Sequence, residues 1–179
     1  MTEGETVTQY LGPLERVGDR WVVGDPNRAE GSCLVLAAGG IEHRVRGAAE
    51  PRAFVEWNRI GHLELRATMR PWMATRTGGT VLQLGGGYMD GGRDGCSVSG
   101  LLRPHEPWSV NYTHHERTYT TMHMALACDL FAKASEAKAL HRLGDPEWLG
   151  AVIARLAPTP RWTPFPGRRV NEVIELLGT

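Results

Sequence analysis

The stretch SCLVLAAGGIEHRVRG, residues 32–47, constrains this chain more than any other. An apolar run from Ser32 to Ala38 meets Gly39-Gly40, and a second run, Ile41 to Arg46, sets Ile41, His43 and Val45 against Glu42, Arg44 and Arg46. Side chains on a strand alternate between faces, so this pattern buries one face and wets the other. A Gly-Gly pair supplies the positive φ of a two-residue turn, which predicts a β-hairpin turning at Gly39-Gly40.

The flanking segments repeat the theme. Residues 1–9 are polar and read as a disordered tail. LERVGDRWVVGDP places a Gly18-Asp19 turn between two short strands, and Asp25-Pro26-Asn27 closes the second. In AFVEWNRIGHLELRATM, Phe54, Trp57, Ile60, Leu63 and Leu65 are the expected core residues, with a bulge or break near Gly61. Nine of the twenty-four residues 77–100 are glycine, around the run Val81-Leu82-Gln83-Leu84. A strand followed by a loop over 85–95 is the expectation, and glycine makes that loop costly to order unless a ligand pins it. SVSGLL and WSVNY read as strands. The run Arg117 to Phe131, rich in Thr and Tyr at its start, is expected to be strand through at least Leu130.

The last third changes period. Ser135-Glu136 opens a short helical run that Gly144 stops. Asp145-Pro146-Glu147 is a helix start: an N-cap, a proline at N1 and an acid in the first turn. Trp148, Leu149, Val152, Ile153 and Leu156 then form one apolar stripe, and Pro158 ends it. A Pro-rich connector, PTPRWTPFPG, leads to a final helix over Arg168–Leu177. About eight strands followed by helices predict an α+β fold, with a bent antiparallel sheet or small β-barrel closed by C-terminal amphipathic helices. Residues 10–157 form one domain, and 158–179 read as a connector and helix that could serve as an oligomerisation arm.

Composition narrows the function classes. The 179 residues suit one domain, and Lys+Arg and Asp+Glu balance at 20 each. A neutral chain has no overall field to draw nucleic acid, which is not expected as a partner. Cys33, Cys96 and Cys128 form neither a CxxC pair nor a disulfide framework, which fits a reducing compartment. The start of the chain lacks a signal-peptide pattern, and no apolar run approaches the roughly 18–20 residues of a membrane span. A cytoplasmic location is the expectation.

The order of hairpin strands, a strand centred on FVEWNRI, further strands and then GDPEWLGAVIARL resembles the pleckstrin-homology-like proteins of high-GC Gram-positive bacteria. The resemblance spans residues 14–157. It implies a bent, roughly seven-stranded barrel plugged by a C-terminal helix, and a binding or scaffolding role rather than catalysis. The glycine loop, the turn before Asp145 and the final helix depart from a minimal version.

Chemistry-bearing residues concentrate in Thr113-His114-His115-Glu116, with His105 and His123 nearby in sequence. Histidines beside a carboxylate can ligate a metal or move protons. The pattern is not HEXXH, and adjacent residues on a strand face opposite ways. On a straight strand His115 and His123 would lie about 26 Å apart. The preferred reading makes THHE a solvated turn, leaving His114, His115, Glu116 and Cys96 as catalytic candidates only if a pocket gathers them. Asp90 and Asp94 lack the oxygen ligands of a calcium loop. Trp72, Trp108 and Trp162 lie beside prolines and, with Tyr88 and Tyr112, are candidate binding residues, since Trp and Tyr dominate binding hot spots. Arg66, Arg70 and Arg76 are candidates for an anion site. No cofactor or metal is expected. The reading that results is a non-enzymatic protein-interaction or scaffolding module, self-associating or bound to a protein partner. The alternatives are a small-barrel or metal-dependent enzyme using His114, His115 and Glu116, and a binder of anionic ligands or lipid headgroups.

Overall fold

Turn chemistry sets the first half of the fold. The computed structural model describes residues 9–69 and 96–178. The tail 1–8, the Val81–Leu84 run, the glycine loop 85–95, Trp72, Tyr88, Arg70 and Arg76 lie outside these. Six strands form an antiparallel meander: β1 Tyr10–Leu11, β2 Leu14–Val17, β3 Arg20–Val23, β4 Ser32–Ala37, β5 Gly40–Val45 and β6 Ala53–Glu56. β2 and β3 turn at Gly18-Asp19, where Gly18 has φ 64°. β4 and β5 turn one residue earlier than Gly39-Gly40, because Ala37 pairs with Gly40 and the turn residues are Ala38-Gly39. Gly40 is needed for another reason: a Cβ there would collide with the Val55 carbonyl of the adjoining strand β6.

A 3-10 turn, Trp57–Arg59, carries the chain into a second antiparallel sheet of β7 Ile60–Arg66, β8 Ser97–Leu102 and β9 Glu106–Asn111. The register slips between Ile60 and His62. That bulge at Gly61 inserts one residue, which is why Ile60 and Leu63, of opposite parity, are both buried. Among the described residues the two sheets do not close into a barrel. Backbone bonds at one corner join them: Thr113 N–H donates to Ser32 O (2.8 Å), and Asp25 N–H donates to Thr113 O (2.8 Å).

Three helices follow: α1 Thr121–Glu136, α2 Pro146–Leu156 and α3 Pro166–Leu177. The strand expected over Arg117–Leu130 is therefore corrected to an extended lead-in and a helix. Thr120 caps the helix, its hydroxyl accepting from His123 N–H (3.1 Å). Met122, Leu126, Leu130 and Ala134 repeat every four residues and are buried, which is a helical period rather than a strand's. Ser135-Glu136 ends α1 instead of opening a helix. Lys138 turns left-handed (φ 55°), and a 3-10 turn, Leu140–Gly144, follows.

Asp145 caps α2 as expected, its carboxylate accepting from Glu147 and Trp148 N–H at 3.1 Å each. Trp21 Nε1 donates to Pro146 O (3.1 Å) and ties β3 to the start of α2. α1 packs on β7, and its buried Ser135 hydroxyl accepts from Leu63 N–H (3.0 Å). α3 lays Val170, Val173 and Ile174 against α1 and α2, so the terminal helix belongs to the main core of its own chain. No helix among the described residues is long and apolar enough to cross a membrane.

Candidate functional site

The histidine pair lies just past β9, where the sheets meet. Thr113 is held on both sides: besides its backbone bonds, its Oγ1 accepts from Ser32 N–H (2.9 Å). This anchors the following residues inward. His114 and His115 are only 3% and 4% exposed, so the expectation of a solvated turn is corrected. The segment has neither helix nor strand structure, yet it is buried. Adjoining it, Tyr112 is buried and its hydroxyl donates to Arg66 O (2.7 Å). Its ring fills the space a Cβ on Gly24 would need, and Gly24 takes φ 90°.

Each histidine is committed to local partners. His114 stacks on Tyr119 with ring centroids 4.1 Å apart. Its Nδ1 lies 2.5 Å from His115 O and its Nε2 2.8 Å from Thr68 O. Both neighbours are carbonyl acceptors, so only an imidazolium could donate to the two at once. Burial nonetheless pulls the His114 pKa below its usual value; the two carbonyls oppose that shift and Arg117 and Arg28 reinforce it.

His115 Nδ1 lies 2.6 Å from the Tyr119 hydroxyl, which also accepts from His115 N–H (3.1 Å). The Tyr119 hydroxyl is thus the shared partner of the His115 ring and its backbone N–H. Nε2 sits 3.1 Å from Glu15 Oε2 but out of hydrogen-bonding alignment. Burial first and Arg117 second push the His115 pKa down to about 3, partly offset by Asp25. Arg117 pairs with Glu15, donates to Gly12 O (3.2 Å) and lies 4.5 Å over the Tyr10 ring.

These groups are poorly placed for catalysis. Burial pushes the Tyr119 phenol up. Cys96 is buried with Sγ 3.7 Å from Thr68 Oγ1, and burial raises its thiol pKa. A thiol held protonated and out of solvent is a weak nucleophile. Glu116 is exposed, unlike the two histidines before it. His123 is bonded to Ala157 O (3.0 Å) and His105 is exposed in the β8–β9 turn. Among the described residues no cluster of three or more His, Cys, Asp or Glu could hold a metal. Cys33 is buried, and Cys128 donates to Leu65 O (3.2 Å) with its pKa pushed up to about 11, chiefly by burial.

Against this corner, a cleft of about 740 Å³ opens between the sheets, lined by the corner's own Cys96 and His114 and by Arg28 and Arg52. Arg66, the described member of the expected anion site, lies 3.5 Å from Glu64 in an ion pair.

The remaining aromatic candidates separate. Trp108 packs partly against the core. Trp162 is 83% exposed, and Phe165, which the sequence reading passed over, is 72% exposed. Both lie on the connector between α2 and α3, framed by Pro158, Pro160, Pro164 and Pro166. Thr163 N–H donates to Pro160 O and Arg168 N–H to Phe165 O, each at 3.0 Å. Phe165 is left-handed (φ 53°, ψ 65°), with the Arg168 guanidinium 6.0 Å from its ring. Glu15, Arg117 and Tyr119 were also missed; Tyr119, four residues past His115, was the one local signal. In comparisons with known proteins, no family model, no curated protein and no solved structure matches this chain.

Proposed function

We propose that this protein is a non-enzymatic interaction module that associates through its 158–165 connector, with a second copy of the chain as the first partner to test. One observation carries the reading: Trp162 and Phe165 are the two most exposed large hydrophobic residues among those described, and they lie three residues apart on one proline-framed connector. Exposed Trp and Phe side chains leave large apolar area in water, and covering them is worth about 25 cal/mol per Å². Prolines limit the conformations the connector must give up on binding, which lowers the cost of association. The left-handed backbone at Phe165 costs about 1–2 kcal/mol for a non-glycine residue, a local strain that function would explain.

The chemistry of the corner favours this reading over catalysis. Its thiol and phenol are held protonated and its histidines are engaged by carbonyl and hydroxyl partners. The likeness to pleckstrin-homology-like proteins belongs to the same proposal. An antiparallel meander with a helix packed on β7 supports it, whereas that fold would also join the two sheets into one barrel. Sedimentation equilibrium tests the association. The expected result is a mass that rises above the monomer with concentration and falls back in Trp162→Ala. A wild-type chain that stays monomeric throughout removes self-association.

A further inference from the structure

We propose that the cleft between the two sheets binds a phosphate-bearing anion, gripped between Arg28 and Arg52 with His43 as a third donor. This site is separate from the connector and does not depend on the interaction reading. It also differs from the Arg66 segment, whose described guanidinium already faces Glu64.

The cleft gathers cations that lack ion-pair partners among the described residues. Neither Arg28 nor Arg52 makes an ion pair among the described residues, and both are exposed at its walls. His43 projects from β5, and its Nε2 is buried with no hydrogen-bond partner. An unbonded buried polar atom costs about 1–3 kcal/mol, so a small turn of the ring that brings Nε2 to a ligand oxygen would relieve a standing penalty. Burial and the Arg52 charge both hold the His43 ring toward neutral, and a neutral ring still donates through one N–H. Arg28 similarly acts on His114 in the floor. Among the described residues the one carboxylate in the lining is Glu30, so their balance is positive.

Two guanidinium forks and a ring N–H suit a tetrahedral oxyanion with several accepting oxygens better than a single carboxylate. A volume of about 740 Å³ exceeds what bare phosphate fills. It falls in the range of small-molecule sites, about 300–1,000 Å³. The phosphate would thus be the handle of a larger molecule, either a soluble phosphorylated compound or a lipid headgroup.

Calorimetric titration with pyrophosphate tests the site. The expected result is saturable 1:1 binding that weakens as salt screens the charges. Arg28→Ala and Arg52→Ala should each lower affinity about tenfold to a hundredfold, the size of one charge-assisted contact. Arg161→Ala, on the connector, should leave it unchanged. Both cleft arginines are exposed, so the variants should fold, and thermal melts verify that. Absence of saturable binding to the wild type, or binding that survives the double substitution, overturns the proposal. Co-sedimentation with phosphatidylcholine vesicles, with and without phosphatidylinositol phosphate, separates the sources. Pyrophosphate-competed attachment to the phosphorylated vesicles supports a lipid headgroup. Pyrophosphate binding without vesicle attachment supports a soluble ligand.

Discussion

The corner at residues 112–119 and the connector at 158–165 treat their chemistry in opposite ways. The corner takes polar, titratable side chains and buries them, and hydrogen bonds satisfy nearly all of them within the chain. The connector takes two large aromatic side chains and leaves them in water on a proline-framed segment whose Phe165 is left-handed. Buried polar groups with partners specify a fold. Exposed apolar groups on a rigid loop are what a partner would cover. The residues that look most like an active site thus have structural contacts that account for their burial, and those that look like filler are the better candidates for recognition.

The largest effect should come just beyond the connector, in α3. Val173 is fully buried between α3 and its neighbours. Val173→Asp should destabilise the protein by more than about 4 kcal/mol in urea titrations, since it buries an unpaired charge. A small effect would mean that 166–177 is a detachable arm after all.

Acid should act next, through the corner. The folded pKa of His115, about 3, lies below its ordinary 6.5. Between these values only the unfolded chain holds the proton. Stability from this group is complete above about pH 6.5 and is lost as pH falls toward about 3, at about 1.4 kcal/mol per pH unit. His114 and His43, also shifted down, act in the same direction. Denaturation midpoints between pH 7 and 4 should flatten in His115→Gln relative to the wild type. A wild-type stability independent of pH over that range would contradict the burial argument.

Removing one hydroxyl should cost less. Tyr119→Phe leaves His115 Nδ1 and His115 N–H without their shared partner. A loss of about 1–3 kcal/mol is expected, measured by chemical denaturation. At the connector the sign should reverse. Phe165→Gly should be more stable than Phe165→Ala by about 1 kcal/mol, because glycine takes the left-handed conformation freely. Equal stabilities would mean that the strain is absent.

Much of the fold could be read from local signals. The Gly18-Asp19 turn, the Gly61 bulge and the Asp145-Pro146 helix start each depend on a few adjacent residues. The helix α1 was missed because Tyr119, Thr120 and Thr121 favour strands, although Thr120 caps the helix and the apolar period downstream is four. The hairpin turn slipped by one residue because Gly40 serves close packing against β6 rather than the turn. The corner was the hardest to read. It depends on contacts between distant residues, Ser32 with Thr113 across 81 positions and Glu15 with Arg117 across 102. No local pattern distinguishes a solvated His-His pair from a buried one. Trp162 could be found from its prolines, but nothing local in the sequence marks the left-handed backbone at Phe165.

Light scattering on three proteins over one concentration series tests the central contrast most directly: the wild type, Trp162→Ala/Phe165→Ala, and His115→Gln. The wild type and His115→Gln should gain mass with concentration while the aromatic double variant, folded and equally stable within about 0.5 kcal/mol, stays monomeric. A double variant that associates as the wild type does, or a His115→Gln protein that alone loses association, would contradict that contrast.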